Sequence, residues 1–135
     1  MANLRQKTNI PIAAGQCFGH SWQHRDFIVN QAIDISQPNV CFVGGYTEAI
    51  KVANLARASN LPIANGGGWP HHNLYLQAAI SNGSKVEFHY VMWKVGETIF
   101  ANPAEPEDSY VNLPEQLGLG FEPSPEAMQE YQLVD

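Results

Sequence analysis

The chain has 135 residues, 44% of them hydrophobic and 10% aromatic, and a formal net charge of -6, which is enough apolar material for the core of one domain or of part of a larger one. No apolar run approaches the roughly 18 residues of a membrane span, and MANLRQKTNI lacks the apolar stretch of a signal peptide, so a membrane role is excluded and the cytoplasm is the expected compartment. All seven Lys and Arg lie at or before Lys94, while residues 101 to 135 carry eight acids and neither base, which offers no clustered basic surface and excludes nucleic acid as a partner.

Short apolar runs alternate with longer helical patterns through residues 1 to 93. IPIAAG (10 to 15) reads as a buried strand, HRDFIVNQAI (24 to 33) as a helix, and DISQPNVCFV (34 to 43) as a strand followed by a loop. TEAIKVANLARAS (47 to 59) reads as a second helix, LPIAN (61 to 65) as a strand, HHNLYLQAAIS (71 to 81) as a third helix and KVEFHY (85 to 90) as a last strand. Thr47 suits an N-cap, Asn60 a helix stop, Pro70 a first helical position, and Gly83 the end of the third helix. In the second helix Ala49, Ile50, Val52, Ala53 and Ala56 form an apolar stripe. Cys17 and Cys41 show no CxxC spacing and read as reduced thiols. The acidic tail carries Tyr110, Val111, Leu113, Leu117, Leu119, Phe121, Met128 and Tyr131, so it is expected to dock as an extended arm rather than to be disordered.

Such an alternation predicts an α/β fold with a parallel sheet, whose function collects at the C-terminal ends of the strands. Those ends carry Gln16, Asn39, Asn65 and Glu87, spaced by 23, 26 and 22 residues, near one strand-helix unit each. The four should meet at one mouth. A strand end can also need an amide simply to satisfy backbone groups. Between the third strand and third helix stands NGGGWPHHN (65 to 73). It lacks the lysine and hydroxyl of a phosphate-binding P-loop, and adjacent His71 and His72 on a helix point about 100° apart, too far to share a metal readily. What remains is a backbone that passes close to a ligand at Gly66 and Gly67, with a helix start able to face an anion, or else a merely flexible turn.

IPIAAGQ, QPNVCFVGGYTEAIKVANLA, LPIANGGGWPHHNLYLQAAISNG, VEFHY and YVNLPEQLGLGFEPSPEAM together resemble the C-terminal half of the enolase superfamily barrel, in the mandelate racemase and muconate lactonising branch. The resemblance implies strands five to eight of a modified TIM (β/α)8-type barrel over residues 1 to 93. Residues 94 to 135 then form a C-terminal arm that packs on a capping domain or partner. It also implies Mg²⁺-assisted proton abstraction next to a carboxylate, most simply the dehydration or racemisation of a hydroxylated or sugar acid.

Position by position, the sequence departs from that pattern. Gln16 stands where the family has a metal-binding glutamate, and Asn39 and Asn65 stand where it often has an aspartate and a histidine acting as a base pair. Glu87 matches the acid that hydrogen-bonds the substrate carboxylate. An amide oxygen brings no full charge to Mg²⁺, and neither asparagine titrates near neutral pH. The resemblance therefore implies Gln16 as a weak metal ligand and a catalytic set drawn from Glu87, Asn39, Asn65, His71 and His24. Asn65, Gly66, Gly67, His20 and Glu87 are the substrate-binding set, with His72 as a further acid in reserve. The family's remaining metal ligands, its lysine base and its capping domain would precede residue 1. The chain alone is expected to be inactive and to form a homo-oligomer or pair with an N-terminal half. The competing expectation is a non-catalytic half-barrel that binds a ligand or partner.

Overall fold

The computed structural model describes residues 1–67 and 70–133. Four short strands, β1 (Ala13–Ala14), β2 (Ile35–Ser36), β3 (Ile63–Asn65) and β4 (Gly83–Val86), form one parallel sheet in the order β1-β2-β3-β4. The sheet follows a leading turn of helix, α1 (Ala2–Arg5). Between the strands run α2 (Ser21–Val29), then α3 (Val40–Val43) with α4 (Tyr46–Ala58), then α5 (Pro70–Ala79). The α/β fold with a parallel sheet expected from the alternation is the fold observed, and its strand order is that of the half-barrel implied by the resemblance. At the end where the strands begin, Arg5 Nε donates to Asp34 Oδ1 at 2.7 Å while Asp34 Oδ2 accepts the Ile12 N–H at 2.9 Å, so one carboxylate ties the approaches to β1 and β2.

The core lies between the sheet and its helices. Ile33, Val43, Val52, Ile63 and Leu76 are 0 to 1% exposed, and each such side chain stabilises the fold by about 1.5–3 kcal/mol through burial. Helix α4 contributes Ala49, Val52, Ala53 and Ala56, spaced to share one face, but Ile50 lies off that stripe and is 43% exposed, contrary to the sequence reading.

Boundaries differ from expectation for local reasons. Helix α2 begins at Ser21 because Gln23 Oε1 accepts the backbone N–H groups of Gly19 and His20, satisfying two donors at its start, and it stops at Val29 ahead of a left-handed Gln31. The segment after β2 is not a loop throughout: Asn39 caps the short α3, its side chain accepting the Cys41 N–H at 3.0 Å. Gly45, not Thr47, precedes α4. Asn60 follows α4 in the left-handed region, and Pro70 opens α5, both as expected. Gly83 starts β4 rather than capping α5, and the last strand ends at Val86, so Glu87 lies just beyond it instead of within it.

The tail is an ordered arm. It begins with α6 (Tyr90–Ile99), which spans the boundary read at residue 93, continues through a hairpin of β5 (Pro106–Glu107) and β6 (Tyr110–Val111), and ends with α7 (Pro125–Glu130). It docks on α5 of its own chain. Tyr75 Oη donates to the Leu119 carbonyl, the rings of Phe121 and His71 pack perpendicular to each other, and Ala104 is buried. Tyr110, Leu117, Met128 and Tyr131 remain exposed, so the arm buries less than its composition offers.

Candidate functional site

The strand ends converge. After β1 the chain turns at Gly15, whose φ of +121° is a glycine conformation, and presents Gln16 as an exposed side chain. After β2 comes Gln37, held by its own N–H to the Ala14 carbonyl at 2.9 Å. After β3 come Gly66 and Gly67, and after β4 comes Glu87, whose N–H donates to the Asn65 carbonyl at 3.2 Å. Side chains close the ring. A Cβ on Gly66 would lie 2.7 Å from Gln16 Cβ and 3.4 Å from Gln37 Nε2, while the Gly67 N–H donates to Glu87 Oε2 at 2.5 Å. The structure thus brings Gln16, Asn39, Asn65, Gly66, Gly67 and Glu87 to one mouth.

The glycines are explained by the chain's own side chains. The space beside Gly66 holds Gln16, and a Cβ on Gly67 would lie 2.0 Å from Asn39 Nδ2, at a φ of +100° that disfavours any side chain. Asn65 is 2% exposed and fully engaged, its Nδ2 donating to the Pro38 carbonyl at 2.5 Å and its Oδ1 accepting from Gln77 Nε2 at 2.5 Å. Asn39 is 0% exposed. Its Oδ1 accepts from Cys41 N–H and from Asn73 Nδ2 at 3.3 Å, and Asn73 Oδ1 in turn accepts the Val40 N–H at 3.0 Å. These amides tie the loop after β2 to β3 and α5. Three members of this set, Gln37, Asn73 and Gln77, escaped the sequence reading. Gln37 follows the true end of β2 as Gln16 follows β1, and Asn73 lies on the buried side of α5.

The histidines separate into three environments. His24 is fully buried beneath the mouth, its Nδ1 3.0 Å from Ser36 Oγ and its ring against Gly15, and burial pushes its pKa down to about 4. His71 is buried against the arm, between Phe100 and Phe121. Its Nε2 accepts the Ala104 N–H at 3.3 Å, and burial, with neighbouring His72, lowers its pKa to about 4. Both are therefore neutral at pH 7. His20 is exposed at the start of α2 with its ring near Trp22, and His72 contributes its carbonyl to Tyr46 Oη. His24 touches the strand ends, through Ser36 and Gly15.

Mg²⁺ does not fit the residues of the mouth taken alone. A hard divalent cation takes about six oxygens, some of them charged. Among the described residues no three His, Cys, Asp or Glu side chains cluster to hold one, and the mouth offers the carboxamides of Gln16 and Gln37 with the single carboxylate of Glu87. What the arrangement can do is grip: carboxamides donate and accept toward hydroxyl groups, and Glu87 accepts. Neither Asn39 nor Asn65 can take a proton.

The family described as Enolase C-terminal domain-like matches residues 1–127. The arabinonate dehydratase of Saccharolobus solfataricus is 27% identical over 134 residues, covering 96% of this chain and 36% of that protein. The D-xylonate dehydratase of Haloferax volcanii is 28% identical over 128 residues, covering 87% and 30%. Among solved structures, the L-talarate dehydratase of Polaromonas sp. JS666, complexed with Mg and L-glucarate, superposes with a TM-score of 0.80 at 27% identity, over 95% of this chain and 34% of that one. The chain spans about a third of the length of these relatives. From the match across residues 1–127, the parallel strand order and the convergent strand ends, the chain belongs to the enolase superfamily, in its mandelate racemase and muconate lactonising branch.

Proposed function

We propose that this chain forms the ligand-gripping part of the active site of a sugar-acid dehydratase or racemase. One observation carries the reading: at a single mouth an exposed carboxylate, Glu87, is fixed by the Gly67 N–H beside the carboxamides of Gln16 and Gln37. That donor and acceptor set suits a polyhydroxylated acid. The dehydratases among the relatives support the substrate class. With Asn39 and Asn65 in the amide network, the proton is removed by a base outside this mouth, and charged Mg²⁺ ligands come from outside it as well. The chain by itself then binds without turning over. Its two free thiols, Cys17 and Cys41, suit a reducing cytoplasm.

A second reading, a half-barrel that serves assembly, is favoured by the sheet itself. Among the described residues no strand pairs with the outer edge of β1 or of β4. A second copy of this chain, or an N-terminal half, would close them.

The test is titration of the ¹⁵N-labelled chain with galactonate and Mg²⁺, followed by amide spectra and by assay for the dehydrated keto acid. Shifts at the Gln16 and Gln37 side-chain amides without product support the proposal. Saturating acid that leaves the mouth unperturbed, or turnover that vanishes on Glu87→Gln, would overturn it.

A further inference from the structure

Helix α1 buries none of its residues on its own chain. Arg5 ties it down, donating to Asp34 Oδ1 at 2.7 Å and to the Gln31 carbonyl at 3.2 Å, and Arg5 and Ile10 border one hollow, so α1 lies folded beside the approach to β1. This segment turns its larger apolar side chains to solvent: Leu4 is 53% exposed and Ile10 73%. Either residue alone would be ordinary on a protein surface. Here they precede a strand whose outer edge carries no partner among the described residues.

A matching surface stands at the opposite edge of the sheet. In β4 the residues Gly83, Ser84 and Lys85 are all exposed, and among the described residues no strand covers the outer side of β4. Beside it a groove of about 910 Å³ runs between α5 and the hairpin of β5 and β6, its apolar lining made by Leu74, Ala78, Val86, Phe88, Tyr110 and Val111. That volume lies in the range of sites that take a ligand, and it is enough for several side chains of a docked segment.

The two surfaces agree in direction and in charge. Every pairing within the sheet is parallel, so a copy of β1 laid along β4 in the same sense brings the residues before it to the Gly83 end, where Gly83, Ser84 and Lys85 line the groove. Residues 1 to 10 carry Arg5 and Lys7 and no acid, while residues 105 to 110 of the hairpin carry Glu105, Glu107 and Asp108 and no base. Lys85, the one base among the lining residues, is outnumbered by them. Both surfaces belong to this chain and lie at opposite edges of one sheet, so a single copy cannot join them without giving up its strand order.

We propose that the groove beside β4 takes residues 1–10 of a second copy, with Leu4 and Ile10 as its apolar anchors, and that the exchange is mutual. Each copy gives its own segment and receives the other's. The contact gives α1, which buries nothing at home, a surface to bury against. Gln16, Gln37, Gly67 and Glu87 line no part of the groove, so the contact stands or falls apart from acid binding at the mouth.

The experiment uses the full 135-residue chain. Cys17 and Cys41, both exposed, are replaced by serine, a nitroxide is attached at Leu4→Cys, and this chain is mixed with ¹⁵N-labelled parent that carries no spin label. The amides of Ala78, Ser84 and Tyr110 in the parent should broaden, and light scattering of the parent should give about twice 14.9 kDa. Leu4→Asp and Ile10→Asp should each raise the dimer Kd about a hundred-fold, on the order of ten-fold for one apolar side chain lost at each of two contacts. Both positions are exposed, so the fold itself is expected to survive, and Ala78→Arg, placed on the exposed side of α5, should block the groove with the same effect. A parent that stays monomeric through the micromolar range overturns the docking and leaves the groove to another partner. A dimer whose groove amides stay sharp, or Asp variants that associate as the parent does, overturns it as well. Groove amides broadened in a chain that carries both labels and is diluted to monomer would assign the groove to the chain's own segment and rule out the second copy.

Discussion

His24 Nδ1 stands 3.0 Å from Ser36 Oγ with both residues at 0% exposure, a contact that ties helix α2 to the end of β2 directly beneath the mouth. The ring also presses on Gly15, where a Cβ would come within 2.6 Å of His24 Cε1. Burial holds its folded pKa near 4, against 6.5 for an ordinary histidine, and His71 behaves alike. As the pH falls from 6.5 towards 4 the unfolded chain takes up protons that the folded chain refuses, so stability is full above 6.5 and declines through that window. Asp34, Glu48 and Glu126, held below the ordinary carboxylate range by their hydrogen bonds, add a loss of the same sign only at the acid end of that window. The urea midpoint should therefore drop between pH 6.5 and 4, and His24→Gln should flatten the slope. A midpoint independent of pH in that window would count against the buried neutral pair.

Gly67→Ala should be among the more damaging glycine substitutions. It adds a Cβ 2.0 Å from Asn39 Nδ2 at a φ of +100°, whereas Gly45→Ala, at a φ of +87°, adds one into open space. Backbone strain alone costs about 1–2 kcal/mol, so Gly45→Ala should lose roughly that much and Gly67→Ala more, on the order of 2–4 kcal/mol once the clash is included. Urea unfolding of the two variants side by side measures the difference. Equal losses would mean that the Asn39 contact yields at no cost.

Asn65→Ala should destabilise the fold by about 1–3 kcal/mol, because it leaves the Pro38 carbonyl and Gln77 Nε2 without their buried partner. A loss below 0.5 kcal/mol, on the order of a neutral surface change, would show that water replaces the amide and that the residue is free to face a ligand.

The order of strands and helices was legible because the hydrophobic period changes cleanly from run to run, and because Pro70 and Asn60 mark their boundaries by backbone chemistry alone. The convergence of Gln16, Asn39, Asn65 and Glu87 followed from strand-helix spacing. What spacing does not reveal is which amide faces the mouth. Asn39 and Asn65 turn into the interior, where Asn73 and Gln77 meet them, and those partners lie far along the chain. Gln37 was passed over because the strand was read through DISQP to an end at Asn39, whereas the paired residues stop at Ser36. Helix α6 was missed because YVMWKVGETI mixes aromatic and β-branched residues with a glycine, a poor intrinsic helix. Tertiary packing explains that glycine, since a Cβ on Gly96 would meet His71 Cε1 at 3.0 Å.

Mg²⁺ should bind the isolated chain weakly, in the millimolar range or not at all, since the mouth sets neutral carboxamides where a hard cation gains most from charge. Gln16→Glu should strengthen binding by adding a second carboxylate beside Glu87. Titration calorimetry checks both. Micromolar affinity in the parent, lost on Gln16→Ala, would mean that the carboxamide site is better built for a cation than its charge suggests.

Association should follow from the open sheet. Among the described residues no strand covers the outer edge of β1 or of β4, and an open sheet edge is a template for pairing. A two-fold axis along the barrel direction would set β4 of one copy beside β1 of the other at both seams. Every strand would then run parallel, in the sense of the pairings already present. Eight strands is also the number at which side chains just fill a closed barrel. The edges are short, and β4 places Lys85 on its exposed side, so hydrogen bonds at the seams cannot hold the pair alone. The inner face must supply the rest. Light scattering at micromolar concentration should therefore give about twice the 14.9 kDa chain mass, with one unfolding transition whose midpoint rises with concentration. A monomer with cooperative, concentration-independent unfolding would rule out closure by a second copy and leave the edges to a different partner.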